Sequence, residues 1–222
     1  INTVRSALWP IARWIHPLPA PPASTRPELD RPVVLVHGYL GHPDVFRPLQ
    51  RRLYAAGFTR VVRVGYPSTR LGLDRIVHRI DAVARPLAEA VGPVDLVGHS
   101  LGAVACRAWI KLFGGAPWVH RFVSLGGPHA GTSLFRLGPP VLRDVLDPAG
   151  PWVRRLNEGD EPVPTVVIRA RYDHQVLPPV RAAVRGAQEL VLDGHGHNGL
   201  LWSRTAHRAV IDALIAPDAP RS

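Results

Sequence analysis

Short apolar runs alternate along this chain with longer segments in which apolar residues recur at the helical period. The runs are almost continuously apolar, as expected for strands that are covered on both faces. They span residues 33–37, 61–64, 94–98, 122–125, 163–170 and 189–192. Helical periodicity marks residues 45–56, 73–91, 101–113 and 202–215. The alternation predicts an α/β domain in which a mainly parallel sheet of about six strands is flanked by crossover helices.

Composition divides the chain into two parts. Residues 1–30 combine Trp9 and Trp14 with a proline-rich stretch, which indicates an N-terminal arm and an extended connector. Residues 31–222 carry every predicted strand and helix. Within them, the stretch from about 131 to 162 is rich in Pro and Gly and fits neither pattern, so we predict a lid-like segment over one end of the sheet. The chain begins at Ile1 and contains no methionine, so we expect that it has been trimmed, as removal of a signal peptide would do.

Charge and cysteine content narrow the function classes. The 222 residues are 46% hydrophobic and 20% charged, which suits one domain with a sizeable core. A formal net charge of +10 would suit a nucleic-acid partner, but the basic residues are scattered and Lys111 is the only lysine, so we expect no such partner. Cys106 is the single cysteine, which excludes an intrachain disulfide. Since no His, Cys or carboxylate cluster has ligand spacing, we predict no metal and no cofactor.

The stretch VDLVGHSLGAVACRAW carries the most informative motif. A predicted strand runs into Gly98-His99-Ser100-Leu101-Gly102 and directly on into an apolar helix. A serine on so sharp a turn takes an unfavourable backbone conformation, and small residues two positions away on each side let the strand and the helix approach. The pattern alone is weak, but this strand–turn–helix context predicts that Ser100 is a nucleophile.

A nucleophilic serine needs a base within hydrogen-bond reach. The loop after the last predicted strand, DGHGHNGLLWS, offers two histidines. We take His197 as the base, because Gly196 and Gly199 allow the loop to turn this imidazole toward the carboxyl edge of the sheet. His195 remains the alternative.

The base in turn needs an acid that orients it. Asp173 directly follows the fifth predicted strand and is our candidate. Asp193 shares the loop of the histidines and Asp95 lies at the opposite end of its strand, so both are better explained as solvated or capping carboxylates. The resulting order, Ser100 then Asp173 then His197, is that of the α/β hydrolases.

Acyl transfer also needs donors for a tetrahedral oxyanion. The backbone N–H of Leu101 lies at the start of the helix after the serine, and the loop after the first strand can offer the N–H of Tyr39. His37 and His99 precede the acid in the chain and are expected to hold these two loops by hydrogen bonds. The predicted substrate-binding residues are apolar and follow the strand ends: Leu40, Phe135, Val176, Leu177 and Leu200.

These motifs resemble those of the α/β-hydrolase lipases of bacteria, close to the small secreted lipase/esterase group of actinobacteria and bacilli. The resemblance covers residues 33 to about 216. It rests on VVLVHGYLGHPDVF at the first strand and oxyanion loop, on the serine motif, on VSLGGPHAGTSL, on RARYDHQVLPP at the acid, and on GHGHNGLLWS at the histidine. The resemblance implies an α/β-hydrolase fold, the triad Ser100, Asp173 and His197, oxyanion-hole residues Tyr39 and Leu101, and a secreted protein.

The expected activity is hydrolysis of carboxylic esters, as a triacylglycerol lipase or a carboxylesterase that also acts on polyesters. The expected partners are therefore small-molecule, lipid or polymer esters, with transient contact to a lipid interface and a monomeric state. A thioesterase or acyltransferase would use the same triad, and a non-catalytic lipid-binding protein would use the same fold. Relative rates on thioesters and esters separate the first alternative, and liposome binding without esterase activity would indicate the second.

Overall fold

All six strands lie in one sheet with the order β2-β1-β3-β4-β5-β6, and every neighbouring pair is parallel. The structure is a computed structural model and describes residue 26 and residues 29–217. The strands are β1 Val33–Val36, β2 Val61–Val64, β3 Val94–His99, β4 Val119–Leu125, β5 Thr165–Ala170 and β6 Gln188–Leu192. The predicted six-stranded α/β architecture is confirmed.

Helices cover both faces of this sheet. The α-helices are α1 Arg47–Ala55, α2 Leu73–Val91, α3 Leu101–Leu112, α4 Pro140–Leu146, α5 Pro151–Leu156 and α6 Arg204–Ile215. Side chains alternate along each strand. On β1, Val34 and Val36 pack with α2 and α3, whereas Val33 and Leu35 pack with α1 and α6. The sheet is therefore buried on both sides, which explains its continuous apolar strands.

Several element boundaries differ from the sequence prediction for local reasons. The fifth strand begins at Thr165 rather than residue 163, since Pro164 has no N–H for the ladder. The fourth begins at Val119, three residues before the predicted start, because its polar residues His120 and Arg121 obscure the apolar run. The last helix begins at Arg204, since the Ser203 hydroxyl caps it by accepting the N–H of Ala206 at 3.2 Å.

The segment predicted to be lid-like, residues 131–162, contains α4, α5 and a short 3₁₀ helix, Phe135–Leu137. The predicted arm and connector, residues 1–30, lies outside the described residues except for residues 26, 29 and 30. Among the residues that the structure describes, none of the helices has the length and apolarity to cross a membrane. In the same part of the chain, no group of three or more His, Cys, Asp or Glu is placed to hold a metal ion.

A buried ion cluster ties α3 to the chain after α5. The Arg107 guanidinium is 2.7 Å from Glu161 through Nη2 and also donates from Nε at 3.1 Å, and Nη1 donates to Asn157 Oδ1 at 3.0 Å. The Lys111 ammonium approaches the same carboxylate at 3.1 Å. The side chains of Arg107, Lys111 and Glu161 are all buried, so the cluster holds the end of the 131–162 segment on the helix that follows the serine motif.

Substitution of the shared carboxylate tests this cluster. We expect Glu161→Gln to lower the free energy of unfolding by about 3 kcal/mol, because it leaves two buried cations without their anion. Asp212→Asn, which breaks the exposed i,i+4 pair between Arg208 and Asp212, should lower it by less than about 0.5 kcal/mol. Urea unfolding of both variants measures the difference, and equal losses would contradict a buried ion cluster.

Candidate active site

Ser100 occupies a strained turn between β3 and α3. Its φ of 54° and ψ of −124° lie in a region that residues with a side chain rarely adopt. A Cβ on Gly98 would lie 2.5 Å from the Cα of Ala103, and a Cβ on Gly102 would lie 2.3 Å from the carbonyl oxygen of His37. Only glycine fits at both positions, so these residues let the strand end and the helix start pack closely enough to project the serine.

Asp173 and His197 form a buried hydrogen-bonded pair beside this turn. The imidazole Nδ1 is 2.7 Å from Oδ2 of the carboxylate. The other oxygen, Oδ1, accepts the backbone N–H groups of Gln175 at 2.8 Å and Val176 at 2.9 Å. Because Asp173 accepts the proton on Nδ1, the neutral tautomer leaves the buried Nε2 as a proton acceptor, and this atom has no hydrogen-bond partner among the described residues.

The pKa of Asp173 is set by opposing effects. Burial alone would raise the pKa, but the hydrogen bond and charge of His197, with the N–H groups of Val176 and Gln175, lower it below the ordinary value of 3.8. The carboxylate therefore stays ionised at neutral pH, as a residue that orients a histidine and offsets its positive charge must be.

Ser100 and His197 line one cavity of about 400 Å³ at the carboxyl edge of the sheet. Asp173 lies behind the imidazole. The apolar residues of the lining include Tyr39, Leu101, Pro128, Leu137, Pro139, Leu142, Leu146 and Val176. A carbonyl bound in this cavity would therefore meet the serine and the histidine on an otherwise largely apolar surface.

The two residues predicted for the oxyanion hole, Tyr39 and Leu101, also line this cavity. Leu101 is the first residue of α3, where backbone N–H groups have no acceptor within the helix. The loop that carries Tyr39 lies against the serine, since a Cβ on Gly38 would be 2.9 Å from the Cβ of Ser100. Tyr66 holds this loop by donating its hydroxyl proton to the carbonyl oxygen of His37.

His99 packs against the imidazole of His197. Its Nε2 lies 3.4 Å from the carbonyl oxygen of His197, and the two rings are 4.9 Å apart. Burial, followed by the positive charge of His197, lowers the pKa of His99 to about 3. The ring is therefore neutral and can donate to the carbonyl, so His99 contacts the histidine loop rather than the oxyanion loop.

The alternative residues considered from sequence lie elsewhere. The ring nitrogens of His195 contact the carbonyl oxygen of Asp193 and the hydroxyl of Ser203, at the start of α6. The carboxylate of Asp193 pairs with Arg171. Asp95 is paired with His120 at 2.9 Å near the amino end of the sheet. None of these three alternatives lies in the lining of the cavity.

The predicted substrate-binding residues are only partly brought together. Val176 lines the cavity, whereas Leu40, Phe135, Leu177 and Leu200 are absent from its lining. Leu40 is 75% exposed outside it, and Phe135 and Leu177 are half-buried to its side. Leu200 is 0% exposed because it packs with Ala170 and Ala206, so this residue is corrected from a substrate contact to a core residue.

The sequence analysis missed the residues of α4 that line the cavity, Leu142 and Leu146. Their i,i+4 spacing places them on one helix face and was a usable signal for a short helix. It could not indicate that this face covers the serine.

The chain is similar in sequence to one known family. The sequence profile described as palmitoyl protein thioesterase matches residues 32–157, more than half of the chain. Comparison with curated protein sequences gave no match.

Solved structures share the fold at low sequence identity. Aspergillus fumigatus lipase B has a TM-score of 0.70 at 20% identity, and the match covers 95% of this chain and 57% of the lipase. The mature Bacillus licheniformis lipase BlEst2 has a TM-score of 0.68 at 15% identity, covering 88% and 96%. A Paleococcus ferrophilus monoacylglycerol lipase has a TM-score of 0.64 at 18% identity, covering 84% and 96%. The α/β-hydrolase fold is confirmed.

Protonation of buried histidines predicts how stability depends on pH. The pKa of His99 is about 3 in the folded protein against 6.5 for the free side chain. With respect to this group, the free energy of unfolding is therefore at its full value above pH 6.5, and it decreases as the pH falls from 6.5 toward 3. We expect His99→Gln to reduce the loss of unfolding free energy between pH 6 and pH 4 by up to about 1.4 kcal/mol per pH unit. Urea unfolding at both pH values measures this. His78→Gln, at an exposed histidine, is the control and should leave the slope unchanged.

Proposed function

Because the chain belongs to the palmitoyl protein thioesterase family, we propose that the serine, histidine and aspartate at its cavity form the triad of a hydrolase that cleaves carboxylic ester bonds. The observation that carries the proposal is the hydrogen bond of 2.7 Å between His197 Nδ1 and Asp173 Oδ2. His197 lines the same cavity as Ser100, which has a strained backbone. A structural serine in a tight turn would need neither the buried acid nor the unpartnered Nε2. The protein is a serine hydrolase that acts on esters.

Catalysis follows from these positions in two half-reactions. The Ser100 oxygen attacks the ester carbonyl while His197 Nε2 takes its proton, and Asp173 offsets the positive charge of the imidazolium. Backbone N–H groups of Tyr39 and Leu101 stabilise the oxyanion. The intermediate collapses to an acyl-enzyme as His197 returns the proton to the leaving alcohol. Water then repeats the sequence, which releases the acid and regenerates the serine.

The apolar cavity supports esters of aliphatic acids as substrates. Its wall from α4 contributes alkyl side chains and no charged group, which favours an acyl chain over a polar acid. We assign the enzyme as a carboxylesterase or triacylglycerol lipase of the small secreted bacterial kind. Aliphatic and aromatic polyesters would fit the same surface.

Thioester hydrolysis is the second candidate function, because the family that matches is described as a palmitoyl protein thioesterase family. The same triad would cleave a thioester by the same steps. Rates on p-nitrophenyl butyrate and on a butyryl thioester, measured side by side, distinguish the two activities.

Exposed apolar residues on the 131–162 segment support transient contact with lipid or another insoluble ester. Leu137 is 84% exposed although it also lines the cavity, and Val141 on α4 is exposed beside it. Such side chains gain free energy when they leave water for an apolar interface. We propose that a secreted monomer binds its substrate with this surface.

Substitution of the triad tests the proposed reaction directly. Ser100→Ala and His197→Ala should each lower kcat on p-nitrophenyl esters at least about 10³-fold, and Asp173→Asn about 10²-fold or more, because these residues act as a unit. His195→Ala, the matched control in the same loop, should change kcat less than about threefold. A wild-type protein that cleaves no ester, or a Ser100→Ala variant with unchanged activity, would reject the assignment.

Exchange of an exposed leucine tests the interfacial surface. Leu137→Ser should lower the rate on emulsified tributyrin about tenfold while changing kcat on soluble p-nitrophenyl acetate less than about threefold, because adsorption depends on buried apolar area. Val91→Ser removes an apolar residue that is 46% exposed near the amino edge of the sheet, away from the cavity, and serves as the control. Equal effects of the two substitutions on the emulsion would contradict a role of this surface.

A further inference from the structure

The hydroxyl group of Thr132 joins two segments of the site. It donates to the carbonyl oxygen of Gln175 at 2.8 Å and accepts the N–H of Leu177 at 3.0 Å, so it bridges two peptide groups of the loop that follows Asp173. It also accepts the N–H of Leu134 at 3.3 Å. Thr132 is buried, so these groups have little access to replacement water.

The bridged peptide groups flank Val176, which is the point where the acid loop meets the carboxylate. Oδ1 of Asp173 accepts the N–H groups of Gln175 and Val176, and Oδ2 contacts His197. The loop is therefore held by hydrogen bonds on two sides, from the Asp173 carboxylate on one side and from the Thr132 hydroxyl on the other. Loss of the Thr132 bonds would leave the loop held by Ser133, whose N–H and hydroxyl donate to the carbonyl oxygen of Leu177, and by the same carboxylate that must orient the imidazole.

The backbone of the same residue reaches the cavity wall. The N–H of Thr132 donates to the carbonyl oxygen of Leu146 at the end of α4, at 2.9 Å. The next residue, Ser133, donates its N–H to the carbonyl oxygen of Leu177 at 2.8 Å. Thr132 thus lies where the cavity wall formed by Leu142 and Leu146 of α4 meets the acid loop, which is the loop that follows Asp173.

We infer that Thr132 is a positioning residue, whose hydroxyl fixes the acid loop so that Asp173 orients His197. It acts through Asp173 and takes no part in bond making. The inference rests on the proposed function, since the position of this loop affects a reaction rate only if Asp173 and His197 take part in ester hydrolysis.

Comparison of Thr132→Val with Thr132→Ser isolates the hydroxyl. Valine keeps the shape of threonine but can neither donate to Gln175 nor accept from Leu177, whereas serine keeps both bonds. We expect Thr132→Val to lower kcat on p-nitrophenyl butyrate about tenfold or more with KM changed less than about twofold, because small misplacements of catalytic groups reduce rates strongly. Thr132→Ser should restore kcat to within about threefold of wild type.

Thr165→Val is the matched control. The Thr165 hydroxyl is also buried and donates to a backbone carbonyl, that of Val163 at 3.0 Å, but at the amino end of β5 and outside the cavity lining. A general effect of removing a buried hydroxyl would appear in both valine variants. We expect kcat of Thr165→Val within about twofold of wild type.

A spectroscopic measurement keeps this inference separate from the proposed function. The low-field proton resonance of the bond between His197 Nδ1 and Asp173 should be present in wild type and Thr132→Ser, and broadened by faster exchange with water in Thr132→Val. This signal does not require turnover. If wild type cleaves no ester, the proposed function fails while the resonance still reports on Thr132.

Three results would overturn the inference. They are an unchanged kcat and resonance in Thr132→Val, an equal loss of kcat in Thr165→Val, and a loss in Thr132→Ser as large as that in the valine variant. If Thr132→Val does not fold, Thr132→Cys replaces it, since its thiol donates and accepts only weakly. Its kcat should fall between those of wild type and Ser100→Ala, and a wild-type kcat would overturn the inference.

Discussion

The close approach of α3 to the ends of β1 and β3 is the constraint on which the rest of the site depends. Gly102 leaves no room for a side chain beside the carbonyl oxygens of Val36 and His37, and Gly98 leaves none beside Ala103. The turn between them holds Ser100 in its strained conformation. Backbone strain of this kind persists only where surrounding packing fixes both flanking elements. Here β3 is central in the sheet and α3 is buried along most of its length.

Polar contacts hold the loops around the site that do not pack directly against the turn at Ser100. Tyr66 holds the end of β1 through the carbonyl oxygen of His37, and burial keeps its hydroxyl protonated by raising its pKa. His99 contacts the carbonyl oxygen of His197. Arg107 binds Glu161 behind α3. Each contact holds a loop beside the site in place, which favours the fixed distances that the proposed reaction needs.

Much of the fold was predictable because its signals are local. Apolar runs marked all six strands, and the residues of the proposed triad each follow a strand end, so Ser100, Asp173 and His197 could be proposed from neighbouring residues. What was missed depends on packing between distant segments. The helix face of Leu142 could turn to the core or to a cavity, and the sequence cannot show that Leu200 packs against Ala170.

The residues proposed for the chemistry and those that shape the cavity differ in the same way, since the first follow strand ends and the second depend on packing between distant segments. The proposed reacting groups follow the carboxyl ends of β3, β5 and β6, where a shift of one residue would disturb the sheet register and the core. The cavity wall, in contrast, includes Leu142 and Leu146 of α4, a helix of seven residues outside the sheet. Changes in α4 can therefore reshape the cavity without moving Ser100 or His197, provided that the hydrogen bonds at Thr132 continue to join this wall to the acid loop. A fold arranged in this way can serve different esters with one unchanged triad.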